Sequence, residues 1–335
     1  MVVTGGAGYI GSHSVLALAR AGHDVVVYDD LSAGHREAVK AIDSACPGRV
    51  RLVVGDIRDT TAFARVLRDA HASAVMHFAA WLSVGDSVRD PVGYYDNNVR
   101  GALSILAAMV ETGVKAFVFS STCATYGDPV ETPMSESHPQ RPVNSYGQTK
   151  LAVEHALPHY DRAYGLKWIA LRYFNAAGAD PDGLLGEDHH PEIHIIPRAI
   201  GAALGRDSLQ VFGDDYPTPD GTCLRDYIHV TDLADAHVRA LGSLAEGGPS
   251  EALNVGTGQP TSVLEVIRAV ERVGQRPVAY SVTGRRPGDP PALYAANGRV
   301  RQRLGWAPRF PGIDAIVESA WRWHDAHPHG WSTRG

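Results

Sequence analysis

Tyr146 and Lys150 are the residues of this chain whose types and spacing are best suited to acid–base chemistry. Residues four apart on a helix lie on one face, so the Lys150 ammonium can stand beside the Tyr146 phenol. A nearby cation favours the phenolate and lowers a pKa that is ordinarily about 10. The phenolate could then act as a general base. An isolated Tyr–Lys pair of this kind is more often an ordinary pair on a helix surface. The neighbouring sequence therefore decides whether the pair is interpreted as catalytic.

A threonine upstream supplies those surroundings. Thr122 follows the apolar stretch AFVFSS (116–121) and precedes Tyr146 by 24 residues. A hydroxyl at the end of such a strand can hydrogen-bond a hydroxyl of a substrate. Thr122, Tyr146 and Lys150 together therefore predict a catalytic site.

Three glycines stand three residues apart near the start of the chain, at Gly5, Gly8 and Gly11. They follow a strand-like apolar segment and open a helix-like one. Unpaired backbone N–H groups and the helix dipole at such a point favour a pyrophosphate. Taken alone, the glycines would fit a tight strand–helix turn equally well.

Acidic residues at two later strand ends favour the nucleotide interpretation. Asp29 and Asp30 end the second apolar stretch about 20 residues after the glycines, where a carboxylate can accept hydrogen bonds from a ribose. No arginine stands there, and a carboxylate would repel a 2′-phosphate. Asp56 ends the third stretch and could reach an adenine. We therefore predict NAD, rather than NADP, as the cofactor.

The elements that must position these residues follow from hydrophobic patterning. Near-continuous apolar stretches are typical of parallel strands buried on both faces, and here they alternate with helix-length segments. This predicts an α/β fold with a Rossmann-type, doubly wound parallel sheet. Beyond the first strand, predicted strands lie at 25–30, 50–56, 74–80, 116–121 and 168–174.

The texture of the chain changes after Phe174, where Gly, Pro, Asp and His become frequent. We predict an NAD-binding domain over 1–175, with a later crossing segment near 225–245. A smaller, irregular α/β substrate-binding domain is expected over 176–335. The segment 175–194, where this part of the chain begins, is expected to be a long loop that covers a site. Helices are predicted near 231–244, 262–273 and 313–327.

Composition narrows the classes of partner. The 335 residues carry a net charge of -6, and Lys and Arg are scattered, so we expect neither nucleic acid nor a membrane surface as partner. No apolar run reaches the length of a membrane span, and the chain enters its first motif at once, so no signal peptide is expected. Cys46, Cys123 and Cys223 are odd in number and widely spaced, which favours a cytoplasmic location.

The histidines, 16 in number, show no spacing typical of a metal site, such as HExxH. Asp188, His189 and His190 are interpreted as solvated loop residues. No metal is therefore predicted.

The GxxGxxG and YxxxK spacings resemble those of the extended short-chain dehydrogenase/reductase superfamily. Longer stretches are similar to the UDP-glucose 4-epimerases, also called UDP-galactose 4-epimerases. These stretches lie at 77–101, 171–181, 211–237, 253–258 and 285–289.

The resemblance implies an activity, which is NAD-dependent 4-epimerisation of a UDP-hexose, UDP-glucose or UDP-galactose. Tyr146 would take the proton of the sugar 4-hydroxyl, assisted by Thr122, while hydride passes from C4 to NAD⁺. The 4-keto sugar would turn over and receive the hydride on its other face. The resemblance also implies a homodimer, formed through a helix bundle of the first domain.

The resemblance further implies a set of binding residues. Those for NAD are Gly5, Gly8, Tyr9, Ile10, Gly11, Asp29, Asp30, Asp56, Ile57, Phe78, Ala79, Ala80, Asn97, Ser120, Tyr146, Lys150 and Tyr173. Those for the UDP-sugar are Thr122, Tyr146, Asn175, His194, Gln210, Phe212, Arg225, Tyr227, Val263, Arg286, Asp289 and Leu293. Arg225 and Arg286 are expected to bind the pyrophosphate, and Asp289 a ribose.

Three positions depart from the family pattern. Leu82 stands where relatives often have a lysine, and His194 where many have an asparagine. Leu293 replaces the tyrosine of glucose/galactose-restricted relatives, and smaller residues there accompany acceptance of N-acetylated sugars. The stretches 120–127 and 321–330 also resemble UDP-arabinose/UDP-xylose 4-epimerases. UDP-arabinose, UDP-xylose and UDP-N-acetylglucosamine therefore remain alternative substrates.

Other functions of the superfamily are less favoured. A 4,6-dehydratase would need an Asp-Glu pair after Thr122, where this chain has Cys123 and Ala124. A reductase-epimerase that uses a cysteine as acid remains an alternative through Cys123. A non-catalytic NAD-sensing protein would typically have lost Tyr146 or Lys150, and both are present.

Overall fold

The computed structural model of the chain describes residues 1–286 and 288–331. Pro287, which belongs to the stretch 285–289, lies outside the described residues. So do residues 332–335, the end of the predicted second domain.

The described chain alternates strands and helices from its first residues onward. The strands are β1 (Val2–Thr4), β2 (Val25–Asp29), β3 (Val50–Val54), β4 (Ala74–His77), β5 (Ala116–Thr122), β6 (Lys167–Tyr173), β7 (Asn175–Ala177), β8 (Leu209–Phe212), β9 (Leu224–His229), β10 (Glu251–Val255), β11 (Pro260–Ser262), β12 (Tyr280–Thr283) and β13 (Ala292–Leu293). The α-helices are α1 (Tyr9–Arg20), α2 (Arg36–Ala45), α3 (Thr60–Asp69), α4 (Val84–Arg89), α5 (Pro91–Tyr94), α6 (Gly101–Thr112), α7 (Ser145–Tyr164), α8 (Ile195–Ala203), α9 (Val230–Ala245), α10 (Val263–Gly274), α11 (Gly298–Leu304) and α12 (Ile313–Ala326). A π-helical turn spans Tyr95–Arg100, and a 3-10 turn spans Cys123–Thr125.

Seven of the strands form one parallel sheet in the order β10-β6-β5-β4-β1-β2-β3. The chain winds outward from β1 in one direction through β2 and β3, and from β4 in the other. This confirms the doubly wound α/β class. In such sheets ligands bind outside the carboxyl ends of the strands, at the point where the order reverses. Here that point lies between β1 and β4.

Both faces of this sheet are buried, as the apolar stretches predicted. In β1, Val2 joins the core on the face of α3 and α6, while Val3 joins the core on the face of α1 and α9. Successive strand residues point to opposite faces, so both must be apolar. The two cores together fix the strand ends relative to the helices.

The predicted strands and helices are largely confirmed, with two differences. β4 ends at His77 rather than near residue 80, because its partner β1 ends at the opposite residue, Thr4, and the chain turns at Gly5, whose φ is +69°. The second difference is β10, which was not predicted as part of this sheet. It pairs with β6 along Glu251–Val255 and forms the edge strand. The division of the chain into two domains stays a prediction.

The later part of the chain builds a second layer beyond the carboxyl ends of the sheet. β9 pairs with β7, β11 and β13, and β8 pairs with β12. A separate core joins α8, α10 and α12 around Ile200, Val266 and Val317. Helix α10 starts with a full capping box, in which Ser262 and Glu265 exchange side-chain and backbone hydrogen bonds.

Candidate active site

A cavity of about 460 Å³ lies at the carboxyl ends of the central strands, bounded on its far side by the second layer. Most of the predicted binding residues line it. From the predicted NAD set these are Gly5, Gly8, Tyr9, Ile10, Gly11, Asp29, Asp30, Ile57, Phe78, Ala79, Ala80, Asn97, Ser120, Tyr146, Lys150 and Tyr173. From the predicted UDP-sugar set they are Thr122, Tyr146, Asn175, His194, Asp289 and Leu293.

The glycine turn forms one end of the cavity, and at two of its positions no residue larger than glycine fits. A Cβ on Gly5, whose φ is +69°, would lie 2.4 Å from the Ala79 nitrogen. A Cβ on Gly11 would lie 2.1 Å from the Gly5 oxygen. Gly8 instead faces open space, where a Cβ would meet only the Gly5 oxygen, at 3.4 Å. The backbone at Gly8, at the start of α1, therefore stays bare toward the cavity, which suits a phosphate.

Asp29 connects this turn to the end of β2. Its two carboxylate oxygens accept hydrogen bonds from the Ala7 and Leu31 amides, both at 2.9 Å. Burial raises the pKa of Asp29, and the two amide hydrogen bonds oppose the shift. Asp30 lies beside it and accepts from the Ser32 amide and hydroxyl. Two carboxylates that could accept hydrogen bonds thus line the cavity at the end of β2.

Asp56 does not line the cavity, although its neighbours Gly55 and Ile57 do. Its carboxylate is paired with the guanidinium of Arg58 at 2.6 Å, and Arg58 also contacts Asp96 at 2.6 Å. The hydrogen bond from Arg58 is the main reason that the pKa of Asp56 is lowered. The Arg58 pairing therefore holds this carboxylate away from the cavity.

Tyr146 and Thr122 come together from two adjoining elements. Helix α7 is capped by the Asn144 side chain, which accepts from the Gly147 amide at 2.8 Å, so Tyr146 lies in the first turn. Thr122 ends β5 and its hydroxyl accepts from the Ala124 amide at 3.1 Å. Burial raises the pKa of Tyr146 well above its usual value, and the Thr122 hydroxyl opposes the shift. Desolvation thus prevails over the lowering that the sequence predicted from Lys150.

Lys150 is fully inside the protein and is held by the sheet. Its Nζ donates to the Ser120 carbonyl at 2.8 Å, while the Ser120 hydroxyl contacts the Tyr173 hydroxyl at 2.6 Å. Burial lowers the pKa of Lys150 to about 7, and the charge of Glu154 opposes this shift. Lys150 can therefore exchange a proton near neutral pH.

A buried ion pair lies behind the catalytic candidates. Glu154, one turn after Lys150, accepts from Arg172 of β6, with Nη2 2.5 Å from Oε2 and Nε 3.0 Å from Oε1. Both side chains are almost fully buried. Arg172 also donates to the Tyr126 hydroxyl at 3.0 Å. This network fixes α7 against the sheet.

Seven predicted residues lie outside the cavity lining. They are Asp56, Gln210, Phe212, Arg225, Tyr227, Val263 and Arg286. Arg225 forms an ion pair with Asp289, which does line the cavity, and donates to the Pro290 carbonyl at 3.0 Å. The Arg286 guanidinium carbon lies 3.9 Å from the centre of the Phe212 ring. Tyr227 and Val263 pack in the second-layer core.

Several lining residues were not predicted as binding residues. They are Ser32, Ala33, Gly34, Gly55, Trp81, Leu82, Val84, Cys123, Ala124, Gly127, Asp128, Val143, Asn144, Phe174, Ala176, His189, Gly288 and Pro290. Seven of them directly follow or precede predicted ones, as Trp81 follows Ala80, so for these the neighbouring strand ends were the available signal. Cys123 is half-buried, and desolvation raises the pKa of its thiol to about 12, which does not suit it as an acid near neutral pH.

Comparison with known proteins decides the family. Residues 1–256 match the family described as the NAD dependent epimerase/dehydratase family. A UDP-glucose 4-epimerase of Rhizobium meliloti (strain 1021) is 54% identical over 98% of both chains. The chain belongs to the UDP-glucose 4-epimerase family. NAD is the cofactor of this family, and its members are isomerases.

Solved structures agree with this membership. A UDP-glucose 4-epimerase from Brucella ovis in complex with NAD is 50% identical, with a TM-score of 0.91 over 96% of both chains. One from Bifidobacterium longum in complex with NAD⁺ and UDP is 38% identical, with a TM-score of 0.93 over 98% of this chain and 99% of that one. Among the described residues, no helix of this epimerase-family chain is long and apolar enough to span a bilayer.

Proposed function

We propose that this protein interconverts UDP-glucose and UDP-galactose with bound NAD. The observation that carries the proposal is that Thr122, Tyr146 and Lys150 open onto the same cavity as the glycine turn. A proton-transfer group and a dinucleotide cradle in one cavity suit reversible oxidation of a substrate hydroxyl. The 4-hydroxyl of a UDP-hexose fits this chemistry and the family.

The residues present fit NAD. The bare backbone at Gly8 leaves room for a pyrophosphate, and Asp29 and Asp30 provide acceptors for a ribose. When bound, NAD⁺ supplies the hydride acceptor and donor, together with a positive charge in the cavity. We propose that the other predicted NAD-binding residues that line the same cavity, such as Tyr9 and Tyr173, also contact the cofactor.

The proton chemistry belongs to Tyr146. Because desolvation keeps its phenol protonated in the chain by itself, its base form needs positive charge nearby. Lys150 provides part of that charge, since its pKa of about 7 leaves it substantially protonated at neutral pH. Thr122, at the adjoining strand end, orients the sugar hydroxyl. Tyr146 would accept the proton of the sugar 4-hydroxyl when the sugar is oxidised and would return it to the same oxygen when the sugar is reduced.

The nucleotide of the substrate is assigned to the second layer. Asn175, His194, Asp289 and Leu293 line the cavity there, with Arg225 directly behind Asp289. We propose that Arg225 and Arg286 bind the UDP pyrophosphate. The Arg225 guanidinium would then contact a phosphate as well as the Asp289 carboxylate. Gln210, Phe212, Tyr227 and Val263 complete the proposed uridine side. Asp56 is proposed as a contact at the adenine end.

The direct test follows conversion of UDP-galactose to UDP-glucose by chromatographic separation of the two sugar nucleotides, with no NAD added to the reaction. Parallel reactions use UDP-N-acetylgalactosamine and UDP-arabinopyranose as the alternative substrates. We expect turnover without added NAD, and the highest kcat/KM with UDP-galactose. No conversion of any UDP-sugar by NAD-loaded protein would exclude the proposed function.

Homodimerisation and a cytoplasmic location complete the proposal. Val88, Val92 and Tyr95 are exposed large apolar side chains near one another in sequence on the short helices of the first half, outside the cavity lining. We propose that they contribute to the helix-bundle contact between two copies. Val92→Glu should then shift the mass measured by light scattering to that of a monomer, while Val130→Glu, at another exposed position, should not.

Cys46, Cys123 and Cys223 are free thiols, which suits a reducing cytoplasm.

A further inference from the structure

Four side chains with metal-ligating atoms converge beside the cavity, in the segment between β7 and α8. Glu187, His189, Glu192 and His194 each offer one ligand atom, and these atoms all lie within 4.8 Å of one another. The sequence predicted no metal site, because the spacing Glu-x-His-x-x-Glu-x-His matches none of the spacings that were considered. The four residues lie in a loop without regular secondary structure, and the course of its backbone brings their side chains together.

The separations between these atoms are close to those of a tetrahedral metal site. Ligand atoms about 2.1 Å from a zinc ion in such a site lie about 3.4 Å from each other. The Nδ1 of His189 lies 3.2 Å from Glu187 Oε1 and 3.8 Å from Glu192 Oε2. The Nδ1 of His194 lies 3.5 Å from Glu192 Oε1 and 2.5 Å from Glu187 Oε1. The separations of 3.2 and 3.5 Å thus fit directly, the one of 3.8 Å is measured to the other oxygen of Glu192, and the one of 2.5 Å is too short.

Hydrogen bonding alone does not account for the arrangement. Both imidazole Nδ1 atoms approach the same oxygen, Oε1 of Glu187, whose side chain is only 3% exposed. The Nδ1 of His189 is fully buried and has no hydrogen-bond partner among the described residues, although it lies within ion-pair distance of Glu187. Glu187 has a partner in His194, but a buried, unpartnered imidazole nitrogen is costly, and a cation shared with the Glu187 carboxylate would satisfy it.

We propose that Glu187, His189, Glu192 and His194 bind one divalent transition-metal ion of the zinc type. Two imidazole nitrogens and two carboxylate oxygens are a ligand set that Zn²⁺ accepts in tetrahedral geometry. The ion neutralises the two neighbouring carboxylates.

The position of the site gives the ion a role. His189 and His194 line the cavity, and His194 directly precedes α8. The ring of His189 packs edge-on against Tyr9 of the glycine turn, at 6.0 Å between centres, and the Tyr9 hydroxyl donates to the Gly178 carbonyl at 2.6 Å. The ion therefore holds the loop at 187–194 against Tyr9 of the glycine turn.

The test uses the purified protein with its resident cofactor, dialysed against a chelator and then titrated with Co²⁺. We expect one Co²⁺ per chain, with the visible ligand-field absorption of a tetrahedral site, and displacement by Zn²⁺. X-ray absorption of the Zn²⁺-loaded wild type should show two imidazole and two carboxylate ligands. This measurement needs no variant.

Variants identify the ligands. His189→Gln and Glu192→Gln should each weaken Co²⁺ binding by about 100-fold or more, the upper end of what loss of a merely supporting group costs. His190→Gln is the matched control, because His190 is an adjacent, exposed histidine that lies outside the group of four. It should retain wild-type affinity. Comparable melting temperatures in chelator verify that the variants are folded.

Three results would overturn the proposal. They are the absence of stoichiometric metal binding, an equal loss of binding in His190→Gln, and unchanged binding in both His189→Gln and Glu192→Gln. Any of these would leave a protonated His194 paired with Glu187 as the account of the cluster. Substrate turnover does not enter this test, so its outcome is independent of the proposed epimerase activity.

Discussion

The Nζ of Lys150 donates to the main-chain carbonyl of Ser120 at 2.8 Å, which ties helix α7 to the end of strand β5. The same strand carries Thr122 two residues later, and the same helix carries Tyr146 one turn earlier. This hydrogen bond, together with the bond from Ser121 of β5 to Glu154 of α7, thus links the two elements that hold the proposed catalytic groups. Because the ammonium is buried, this bond also makes the protein sensitive to pH.

The first prediction concerns that sensitivity in the cofactor-free protein. Below about pH 7, Lys150 is charged in both the folded and the unfolded chain, and its burial then opposes folding. Between about 7 and its ordinary pKa of 10.5, the unfolded chain keeps a proton that the folded chain has released. Stability therefore rises with pH in this window, by up to about 1.4 kcal/mol per unit from this group.

Lys150→Met should remove this contribution. Urea unfolding at several pH values between about 7 and 10 should show a steeper rise in unfolding free energy for the wild type than for the variant. Lys115→Met, at a lysine of the surface, is the control and should keep the wild-type slope. Parallel profiles for wild type and Lys150→Met would contradict the assignment.

The second prediction tests Tyr146 as the proton-transfer group. Tyr146→Phe should lower kcat by about 10²- to 10⁴-fold, because the hydroxyl proton then has no acceptor. Its NAD content, measured by absorbance after denaturation, should be unchanged. Tyr160→Phe, on the same helix but away from the cavity lining, should keep normal turnover. Normal turnover of Tyr146→Phe would remove the proposed role.

The third prediction separates two glycines of the opening turn. Gly5→Ala should lower the unfolding free energy by about 2 kcal/mol or more, since its φ is +69° and the new Cβ would collide with Ala79. Gly8→Ala has an ordinary φ of -81° and open space, so its stability should change by less than about 0.5 kcal/mol. It should instead lose bound NAD. Undiminished NAD content in Gly8→Ala would show that Gly8 does not face the cofactor.

The fourth prediction concerns sugar choice at Leu293, which lines the cavity from β13. Leu293→Tyr adds bulk, so kcat/KM for UDP-N-acetylglucosamine should fall about tenfold more than for UDP-galactose. Leu293→Met conserves volume and should leave the ratio nearly unchanged. An equal loss on both sugars in Leu293→Tyr would show that this side chain does not select the substrate.

The fifth prediction concerns the buried pair of Glu154 and Arg172. Glu154→Gln should lower the unfolding free energy by about 3–5 kcal/mol, because it leaves the Arg172 charge uncompensated. Replacing both residues by methionine should be less damaging than the single change. Denaturant unfolding measures both. A double variant that is less stable than Glu154→Gln would show that the pair itself stabilises the fold.

Much of the site follows from the sequence because strand ends in a parallel sheet meet at one edge. Thr122 and Asp29 are examples, since each closes an apolar stretch and each lines the cavity. The partner of a charged side chain is harder to predict. Asp56 closes a stretch in the same way, but Arg58, two residues later, holds its carboxylate away.

The direction of the Tyr146 pKa shift was likewise not readable from spacing. Helical periodicity places Lys150 beside Tyr146, but the degree of desolvation depends on how the second layer covers the cavity. The convergence of Glu187 and His194 is similar, because it depends on the path of a loop with no periodic pattern. Contacts set by regular elements could thus be predicted, and contacts set by burial and loop path could not.

Strand β10 has a consequence for how the chain is made. It completes the central sheet at the β6 edge, yet it is encoded about 80 residues after β6, beyond much of the second layer. During synthesis the backbone of β6 therefore exposes unpaired N–H and C=O groups until residues 251–255 have left the ribosome. A shortened chain that stops before them would keep this edge open, and we expect it to be prone to self-association.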